Sequence, residues 1–448
     1  MQGKKVQIIS LGCPKNQVDS EVMASLLEKG GFRLTERRDD ASVVLINTCA
    51  FILPAKEEAI EEILAAALWK KGAAGRRIVV AGCLPQRYGN ELAESLPEVD
   101  LFLGISDVPE IDRRLEMLFA GEKGKNGCAV IGKPTFLMNA SHKRIISTPA
   151  GSAYLKIAEG CSNTCSYCVI PSIRGKARSR ATDDILKEAE ELASQGVREL
   201  ILIAQDTTAY GRDLREKASL SRLLRELASI EGIAWIRLLY LYPGRITQEL
   251  LRTIADEEKI CKYLDIPIQH SDDSLLRAMR RGGNSAQLRA VIARAREIIP
   301  GVALRTSLIV GFPGETPRRF ENLLSFVREI RFDHLGAFPY CREEGSRAAG
   351  LPARISEKEK QRRQDILMEE QAFISREINN SLIGSVQEVL VEGKSEREDY
   401  PLTGRCRRQA PEIDGITYLR GGKTKIGQIV SCRITAADDY DLFAEIII

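Results

Sequence analysis

Short hydrophobic runs open the chain, and helix-like stretches separate them. The runs at 6–12, 43–48 and 78–82 are largely apolar and rich in β-branched residues, as buried strands of a parallel sheet are. The stretches between them, at 20–29 and 55–70, have the composition of helices. The pattern therefore predicts a layer of alternating strands and helices at the start of the chain.

Each of these three runs ends at a cysteine. Cys13, Cys49 and Cys83 are spaced by 36 and 34 positions, and a strand–helix–strand unit takes about 30 residues or more. Each cysteine thus follows the carboxyl end of a strand, which is the edge of an open α/β sheet where ligands bind. The three thiols can meet in one crevice, although a cysteine at a strand end is also common as a small residue of the core.

A second series of strand-like runs begins after a glycine-rich stretch at 121–148, which is typical of a linker. Helical patterns such as 182–194 and 316–331 separate these runs. Six runs share the length and composition of buried strands, and they lie at 153–157, 199–204, 235–239, 263–267, 303–310 and 334–338. Six strand–helix repeats at this spacing favour a partial TIM-like barrel.

The last part of the chain changes its pattern. A charged helix is predicted at 356–379, and short strand-like runs with glycine turns follow at 385–391, 416–419, 428–435 and 442–448. Such runs are typical of a small all-β barrel. We therefore predict an α/β protein with an N-terminal domain at 1–120, a linker at 121–148, a barrel domain at 149–378 and a C-terminal β-barrel at 379–448.

The composition restricts the class of protein. Hydrophobic residues make up 44% of the 448 residues and charged residues 28%, which suits two or three globular domains and excludes a disordered chain. No apolar run reaches the roughly 18 residues that a membrane helix needs, and the N-terminus lacks the pattern of a signal peptide. We therefore expect a cytoplasmic protein without a membrane partner. The net charge of +3 provides no general attraction to nucleic acid.

Cysteine is frequent and histidine is rare, with eleven of the first and three of the second. An odd number of cysteines in a large chain without an export signal argues against a disulfide framework. In a reducing compartment grouped thiolates bind soft metal centres, so we predict an iron–sulfur or zinc centre bound mainly by sulfur. Five cysteines have no partner spacing and are predicted to be packing residues: Cys128, Cys261, Cys341, Cys406 and Cys432.

The most specific motif is Glu-Gly-Cys-Ser-Asn-Thr-Cys-Ser-Tyr-Cys at 159–168. It places Cys161, Cys165 and Cys168 in the loop after the first strand of the predicted barrel, where barrel active sites are built. Four-iron clusters normally take four cysteines, so three thiolates leave one iron open for a small molecule. A zinc knuckle is the alternative, but neither a fourth cysteine nor a histidine lies nearby in the sequence.

The spacing CxxxCxxC, with the aromatic Tyr167 before its last cysteine, resembles the signature of the radical S-adenosylmethionine (SAM) superfamily. The resemblance implies that the open iron binds SAM. Reduction then cleaves SAM to a 5′-deoxyadenosyl radical, which removes a hydrogen atom from an unactivated carbon. The same resemblance implies that Gln205, past the second barrel strand, and Gly311, in a glycine-rich segment near the adenine, bind the cofactor together with Tyr167.

The N-terminal cysteines are part of a second resemblance. The segment Ser-Leu-Gly-Cys-Pro-Lys-Asn-Gln-Val-Asp-Ser-Glu at 10–21 resembles the N-terminal signature of the methylthiotransferases. That family joins a flavodoxin-like domain, a radical SAM barrel and a C-terminal TRAM β-barrel in the order predicted here. The resemblance implies a second four-iron cluster at Cys13, Cys49 and Cys83, where one SAM methylates a sulfur. Another SAM supplies the radical, so that C–H becomes C–S–CH3, and all six cysteines are predicted to be both catalytic residues and metal ligands.

Two branches of this family differ in substrate. One modifies an adenosine beside the tRNA anticodon, and the other modifies the β-carbon of an aspartate in the twelfth protein of the small ribosomal subunit. The segments 11–16, 267–271 and 410–415 resemble the ribosomal-protein branch, whereas Gln17 and the segment 241–245 depart from it. We predict the ribosomal-protein branch, with the tRNA branch as the alternative. A noncatalytic iron–sulfur electron carrier is the alternative from another class, although open irons do not serve electron transfer.

The charge of the C-terminal domain bears on the same choice. Residues 379–448 contain nine Lys plus Arg and eleven Asp plus Glu, which is a net charge of −2. A domain that grips RNA phosphates should be basic, whereas acidic residues such as Glu412 and Asp414 can steer the encounter with a basic ribosomal protein. An imbalance of two charges is also ordinary scatter.

The predicted partners are the ribosomal protein, an external electron donor and a sulfur donor that the sequence does not specify. Nucleic acid is a partner only in the tRNA branch. A basic turn at 174–180 has two interpretations: it contacts the SAM carboxylate or the substrate backbone, or it is solvated.

Overall fold

The computed structural model describes residues 3–121, 129–215 and 218–447. Cys128 and the part of the predicted linker at 122–128 lie outside these residues. Among the described residues, no helix combines the length and the apolar character that a membrane crossing requires.

The strands of the described residues are, in chain order, β1 Lys5–Ser10, β2 Arg33–Leu34, β3 Val43–Thr48, β4 Arg77–Gly82, β5 Leu101–Leu103, β6 Ala129–Val130, β7 Ser152–Lys156, β8 Ala158–Glu159, β9 Arg178–Ser179, β10 Glu199–Ile203, β11 Trp235–Leu238, β12 Tyr263–Asp265, β13 Ala303–Val310, β14 His334–Pro339, β15 Val386–Lys394, β16 Leu402–Cys406, β17 Thr417–Arg420, β18 Ile429–Ala437 and β19 Leu442–Ile446. The α-helices are α1 Pro14–Lys29, α2 Leu53–Lys71, α3 Cys83–Ser95, α4 Ile111–Phe119, α5 Ile170–Arg174, α6 Thr182–Ser194, α7 Leu220–Ala228, α8 Gln248–Asp256, α9 Asp273–Ala278, α10 Ser285–Ile298, α11 Pro317–Ile330 and α12 Glu357–Ser381.

The chain divides into two compact units. The first unit comprises Met1–Ser147, Ala158–Asn163 and Cys168–Arg180, and the second comprises Thr148–Ile157, Thr164–Tyr167 and Ala181–Ile448.

The first unit is built on a parallel sheet with the strand order β2-β1-β3-β4-β5-β6. This is the flavodoxin-like order, in which the direction of winding reverses beside β1 and ligands bind at the carboxyl ends of the strands there. Every residue of β3 is buried, which agrees with its largely apolar sequence. The predicted flavodoxin-like layer is therefore confirmed.

Three strands of this sheet were not predicted, because they are only two or three residues long: β2, β5 and β6. Helix α1 begins at Pro14 and not at residue 20 as predicted. Proline suits the first helical position, because the N–H that it lacks would have no partner within the helix there. Strand β6 lies in the stretch that the glycine pattern marked as a linker.

The second unit contains the predicted barrel strands. They form two three-stranded parallel sheets, with the orders β11-β10-β7 and β12-β13-β14. A lone parallel bridge joins Ile236 of β11 to Ile260, just before β12. Six parallel strands in chain order, with helices between them, confirm the partial TIM-like barrel.

The second unit ends in a closed barrel of five strands, in the order β15-β16-β17-β19-β18. Its core contains Cys406 and Cys432, and Cys261 is buried in the same unit, which confirms the prediction that these three cysteines pack. Cys341 is only half-buried. Strand β16 was missed because its sequence, Leu-Thr-Gly-Arg-Cys, has little hydrophobic signal.

A buried ion network joins this β-barrel to the larger barrel. The Glu199 carboxylate accepts hydrogen bonds from Arg237 Nε at 2.7 Å and from Arg405 Nη2 at 2.6 Å, and Arg405 also pairs with Glu392 at 2.6 Å. Burial alone would raise the pKa of the Glu199 carboxyl, but the Arg405 and Arg237 guanidinium groups outweigh it and lower that pKa. Glu199 is therefore the carboxylate that links Arg237 of the larger barrel to Arg405 of the β-barrel.

We expect Glu199→Leu to lower the free energy of unfolding by about 3–5 kcal/mol, because it leaves two buried guanidinium groups without their shared anion. Urea unfolding followed by circular dichroism measures the change. Glu329→Ala is the matched control, since it breaks the exposed Arg289–Glu329 pair, and we expect it to cost at most about 1 kcal/mol. Equal losses from the two variants would show that the network does not contribute in this way.

The expected role of Asp414 as a steering charge is wrong. Its side chain is fully buried, and Oδ2 accepts hydrogen bonds from Tyr263 Oη at 2.7 Å and from Ala410 N at 2.8 Å. Arg305 Nε lies 3.4 Å from its Oδ1. Asp414 therefore anchors the β-barrel, whereas Glu412 is exposed as expected.

Candidate functional site

The three N-terminal cysteines lie at the carboxyl ends of neighbouring strands. Cys13 follows β1 and precedes α1, Cys49 directly follows β3, and Cys83 begins α3 directly after β4. The strands β1, β3 and β4 are adjacent in the sheet. The structure therefore places the three thiols at one edge, as the spacing predicted, and beside the reversal of winding where ligands bind.

Two glycines let the backbone close around these cysteines. Gly12 has φ +92°, and a Cβ atom there would lie 2.5 Å from Cys49 Cβ. Gly82 has φ +96°, and a Cβ atom there would lie 2.3 Å from Asn47 Oδ1. Both positions need the left-handed region that glycine enters without strain, so any other residue would push the strand ends apart.

Two asparagines hold the strand ends at this edge. Asn16 Nδ2 donates hydrogen bonds to Leu11 O at 3.0 Å and to Thr48 O at 2.8 Å. Asn47 Nδ2 donates to Asn16 O at 2.8 Å and to Ser20 Oγ at 2.9 Å. Since both amides are buried and bond to backbone or hydroxyl oxygen, they fix the loops that carry the cysteines.

Burial and neighbouring charges raise the pKa values of the Cys49 and Cys83 thiols. Burial raises the pKa of the Cys83 thiol to about 12; the Arg174 guanidinium opposes the rise, and charge on Cys49 and Cys13 adds to it. Burial also raises the pKa of Cys49, and charge on Cys13 contributes. The protein thus gathers three thiols whose joint ionisation is costly unless a cation compensates them, and a metal centre supplies that compensation.

Three cysteine thiols form a donor set that suits a soft metal centre such as an iron–sulfur cluster. Among the described residues, no three His, Cys, Asp or Glu side chains approach closely enough to hold one metal ion. In a cluster each thiolate binds a different iron, so its ligands stand farther apart than those of one zinc ion. Three all-sulfur ligands at one sheet edge suit such a cluster.

The second cysteine motif lies in the loop after β7. In the first unit, the Cys161 N–H donates to Gly175 O at 3.0 Å, and Ile170 N–H donates to Cys168 Sγ at 3.5 Å. Gly160, with φ +79°, packs so closely that a Cβ atom there would lie 2.3 Å from Lys176 O. This part of the loop is therefore held tightly on both sides of its cysteines.

The remaining part of the loop belongs to the second unit. Ser166 donates hydrogen bonds from its N–H to Met279 O at 2.9 Å and from Oγ to Ala278 O at 2.7 Å. Arg281 Nη1 donates to Cys165 Sγ at 3.8 Å. Tyr167 packs against the core cluster that contains Met279. The loop thus presents Cys165 beside a guanidinium group.

Arg281 was missed by sequence reasoning. Its guanidinium lies 4.2 Å from the centre of the Tyr242 ring, and Arg245 lies 4.7 Å from the same centre. Arg281 also donates to Pro267 O. In the sequence this arginine stands in a run of Arg-Arg-Gly-Gly, which is typical of a solvated turn, and nothing there indicates a contact with a cysteine 116 residues away.

The other residues predicted to bind the cofactor lie at the carboxyl ends of barrel strands. Gln205 stands just past β10 and is half-buried. Gly311 directly follows β13 with φ +73°, and its N–H donates to Glu315 Oε2. A Cβ atom at Gly311 would lie 2.2 Å from Lys360 Cγ, so helix α12 occupies the space on that side of the glycine.

Arg174 corrects the interpretation of the basic turn. It is not solvated: its side chain is buried and pairs with Asp19 and Glu159. Those two carboxylates and Asn16 were likewise not predicted to be near the cysteines. Lys176, by contrast, is exposed, as expected of a solvated turn.

Family models match three stretches of the chain. Uncharacterized protein family UPF0004 matches residues 5–104, the Radical SAM superfamily matches 155–327, and the TRAM domain matches 383–447. The first match covers strands β1 to β5, the second covers β8 to β13, and the third covers β15 to β19. The radical SAM and TRAM resemblances are therefore confirmed.

Curated relatives span the full length. The ribosomal protein uS12 methylthiotransferase RimO of Syntrophus aciditrophicus is 60% identical over 449 residues, which cover 100% of this chain and 99% of the relative. The protein of the same name from Geobacter sulfurreducens is 51% identical over 444 residues, which cover 99% of both chains. This chain belongs to the ribosomal protein uS12 methylthiotransferase family. Membership in that family confirms the methylthiotransferase resemblance and makes the chain a radical SAM transferase.

Solved structures agree with the fold of this uS12 methylthiotransferase family member. The radical S-adenosylmethionine methyltransferase TsrM from Kitasatospora setae has a TM-score of 0.55 and 16% identity, and the match covers 87% of this chain and 77% of that chain. The cobalamin-dependent radical enzyme OxsB has a TM-score of 0.52 and 12% identity, with 83% and 56% covered. At these identities the likeness shows the fold alone.

Proposed function

We propose that this chain inserts a methylthio group at the β-carbon of an aspartate in ribosomal protein uS12. One observation carries the proposal: the chain matches uS12 methylthiotransferases over its full length. It also contains two groups of three cysteines, one at the carboxyl ends of β1, β3 and β4 and the other in the CxxxCxxC loop at 159–168. A noncatalytic electron carrier is not favoured. Each group of three cysteines would leave one iron of a four-iron cluster without a protein ligand, and membership in a transferase family explains this arrangement.

Cys161, Cys165 and Cys168 are proposed to hold one four-iron cluster, and Tyr167, Gln205 and Gly311 are proposed to contact SAM beside it. When bound, the cluster and SAM together supply a carbon radical that removes hydrogen from the substrate. Arg281 donates a hydrogen bond to the Cys165 sulfur, and the hydrogen bonds of Ser166 hold the loop in place. The residues of the chain thereby orient the cofactor and exclude water from it.

Cys13, Cys49 and Cys83 are proposed to hold the second four-iron cluster, which would supply the site from which sulfur is transferred. The closed backbone at Gly12 and Gly82 fixes the distance between the loops that carry them. We also propose the domain boundaries 1–120, 121–148, 149–378 and 379–448, which the three matching family models support in outline.

A ribosomal protein is the favoured substrate, and the relatives carry that name. The β-barrel supports the same choice, since its net charge of −2 suits a basic protein better than a phosphate backbone. Reductive cleavage of SAM consumes an electron, so an external electron donor is a further proposed partner. A cytoplasmic location is proposed because ribosomal proteins are found there.

The test is an anaerobic reaction of the reconstituted full chain with SAM, dithionite and sulfide. Purified uS12 and bulk tRNA from the same organism are offered together, and both are analysed by mass spectrometry. We expect a methylthio group on one aspartate of uS12 and none on tRNA. Methylthiolated adenosine in tRNA, with unmodified uS12, would replace this proposal by the tRNA branch.

A further inference from the structure

A buried guanidinium lies beside the three N-terminal cysteines, and the proposed function gives it no role. Arg174 is 1% exposed and ends the short helix α5, six residues after Cys168 in the chain. Removing a guanidinium group from water is costly unless its hydrogen bonds are satisfied and its charge is compensated. The groups that surround Arg174 must therefore supply these hydrogen bonds and this compensating charge.

Two carboxylates and an amide clamp this side chain. Arg174 Nη1 lies 3.1 Å from Asp19 Oδ2 and 3.0 Å from Glu159 Oε2, and Nη2 donates to Asn16 Oδ1. Asp19 and Asn16 lie on α1, which follows Cys13, whereas Glu159 lies on β8, two residues before Cys161. Because its partners lie on two different elements, α1 and β8, the guanidinium is held in a single orientation.

In that orientation Arg174 acts on the cysteines. Cys83 Sγ and Arg174 Nη2 share the acceptor Asn16 Oδ1, with the sulfur at 3.7 Å. The guanidinium of Arg174 therefore lies one side chain away from the Cys83 sulfur, on the other side of this shared oxygen. The carboxylates of Asp19 and Glu159 hold the guanidinium in place.

A fixed cation matters more to a cluster than to free thiols. Three thiolates and sulfide ions concentrate negative charge, and each added electron increases it. Hydrogen bonds to the sulfurs and nearby net charge are the terms by which a protein sets the reduction potential of such a cluster. Because the Arg174 guanidinium cannot move away, its charge acts on the cluster in both oxidation states.

We propose that Arg174 is a positioning residue of the N-terminal three-cysteine site: it fixes Asn16, whose amide oxygen faces Cys83 Sγ, and it raises the reduction potential of the cluster bound there. The inference rests on the proposed function, since it needs a cluster at Cys13, Cys49 and Cys83. The brace Asp19–Arg174–Glu159 also ties the loop of Cys161 to the helix that follows Cys13, within the first unit.

The experiment measures the potential of the N-terminal cluster alone. The full chain with Cys161, Cys165 and Cys168 replaced by alanine is reconstituted anaerobically, and its cluster is titrated by electron paramagnetic resonance at set potentials. In this background we expect Arg174→Gln to retain iron and to lower the ratio of reduced to oxidised cluster about tenfold at a given potential. For a one-electron couple that is 59 mV toward more negative values.

Two further variants separate this role from packing. Asp19→Asn removes a negative charge from the clamp, so we expect the potential to move in the opposite direction. Arg174→Lys keeps the charge without the planar set of donors, and we expect a potential between those of the parent and Arg174→Gln. Arg144→Gln is the matched control, because Arg144 forms an equally buried ion pair with Glu21 on the same helix, at 2.9 Å; we expect no shift.

The outcomes distinguish the inference from the function on which it rests. A background chain that binds no iron would refute the N-terminal cluster site, and this inference with it. An iron-loaded background in which Arg174→Gln leaves the potential unchanged would refute the inference alone. Loss of iron in Arg174→Gln, together with an unchanged potential in Arg174→Lys and in Asp19→Asn, would show that Arg174 only packs and would equally refute it.

Discussion

Replacing Cys13, Cys49 and Cys83 with alanine should abolish methylthiolation of uS12 while reductive cleavage of SAM continues. The reconstituted wild-type chain should hold about eight irons, four in each cluster, and the variant about four. The cysteines of the barrel loop are unchanged in this variant, so 5′-deoxyadenosine should still form. The measurements are iron analysis, chromatography of 5′-deoxyadenosine and mass spectrometry of uS12.

The matched control for this variant replaces three cysteines that only pack. Cys261, Cys406 and Cys432 are buried in the second unit and belong to neither candidate ligand set. Their replacement by alanine should leave about eight irons and the methylthio product. If the N-terminal variant kept its full iron load, or still methylthiolated uS12, the three-thiol edge would not be the site at which sulfur is transferred.

The second large effect is expected from replacing Cys161, Cys165 and Cys168 with alanine. SAM cleavage and methylthiolation should both fall to background, because no radical can form without the open iron of that cluster. About four irons should remain at the N-terminal cysteines, and an electron paramagnetic resonance spectrum of that cluster should show no change when SAM is added.

The contrast between the two triple variants provides the decisive comparison. Replacing the three N-terminal cysteines should abolish the methylthio product but leave SAM cleavage. Replacing the three cysteines of the barrel loop should abolish both. Continued 5′-deoxyadenosine formation without Cys161, Cys165 and Cys168 would refute their proposed role. A chain whose two triple variants behaved alike would contain a single functional centre.

Much of the architecture was predictable because its signal is local. The six barrel strands are rich in apolar residues, and each is found within a few residues of its predicted bounds. The three N-terminal cysteines could be placed at one sheet edge because parallel strands joined by helices bring their carboxyl ends together. The short strands β2, β5 and β6 escaped prediction, since two or three residues contain no periodicity that could be read.

The sequence by itself determined which residues could carry the chemistry, because ligand type and spacing along a loop are properties of the chain. Only the tertiary structure decided which charges stand beside them. Arg174 and Asp414 occur in stretches that resemble solvated turns, yet Arg174 pairs with Asp19 across 155 residues and Asp414 bonds Tyr263 across 151. Burial of a charge depends on partners brought by other elements of the fold, and no local pattern records which partners those are.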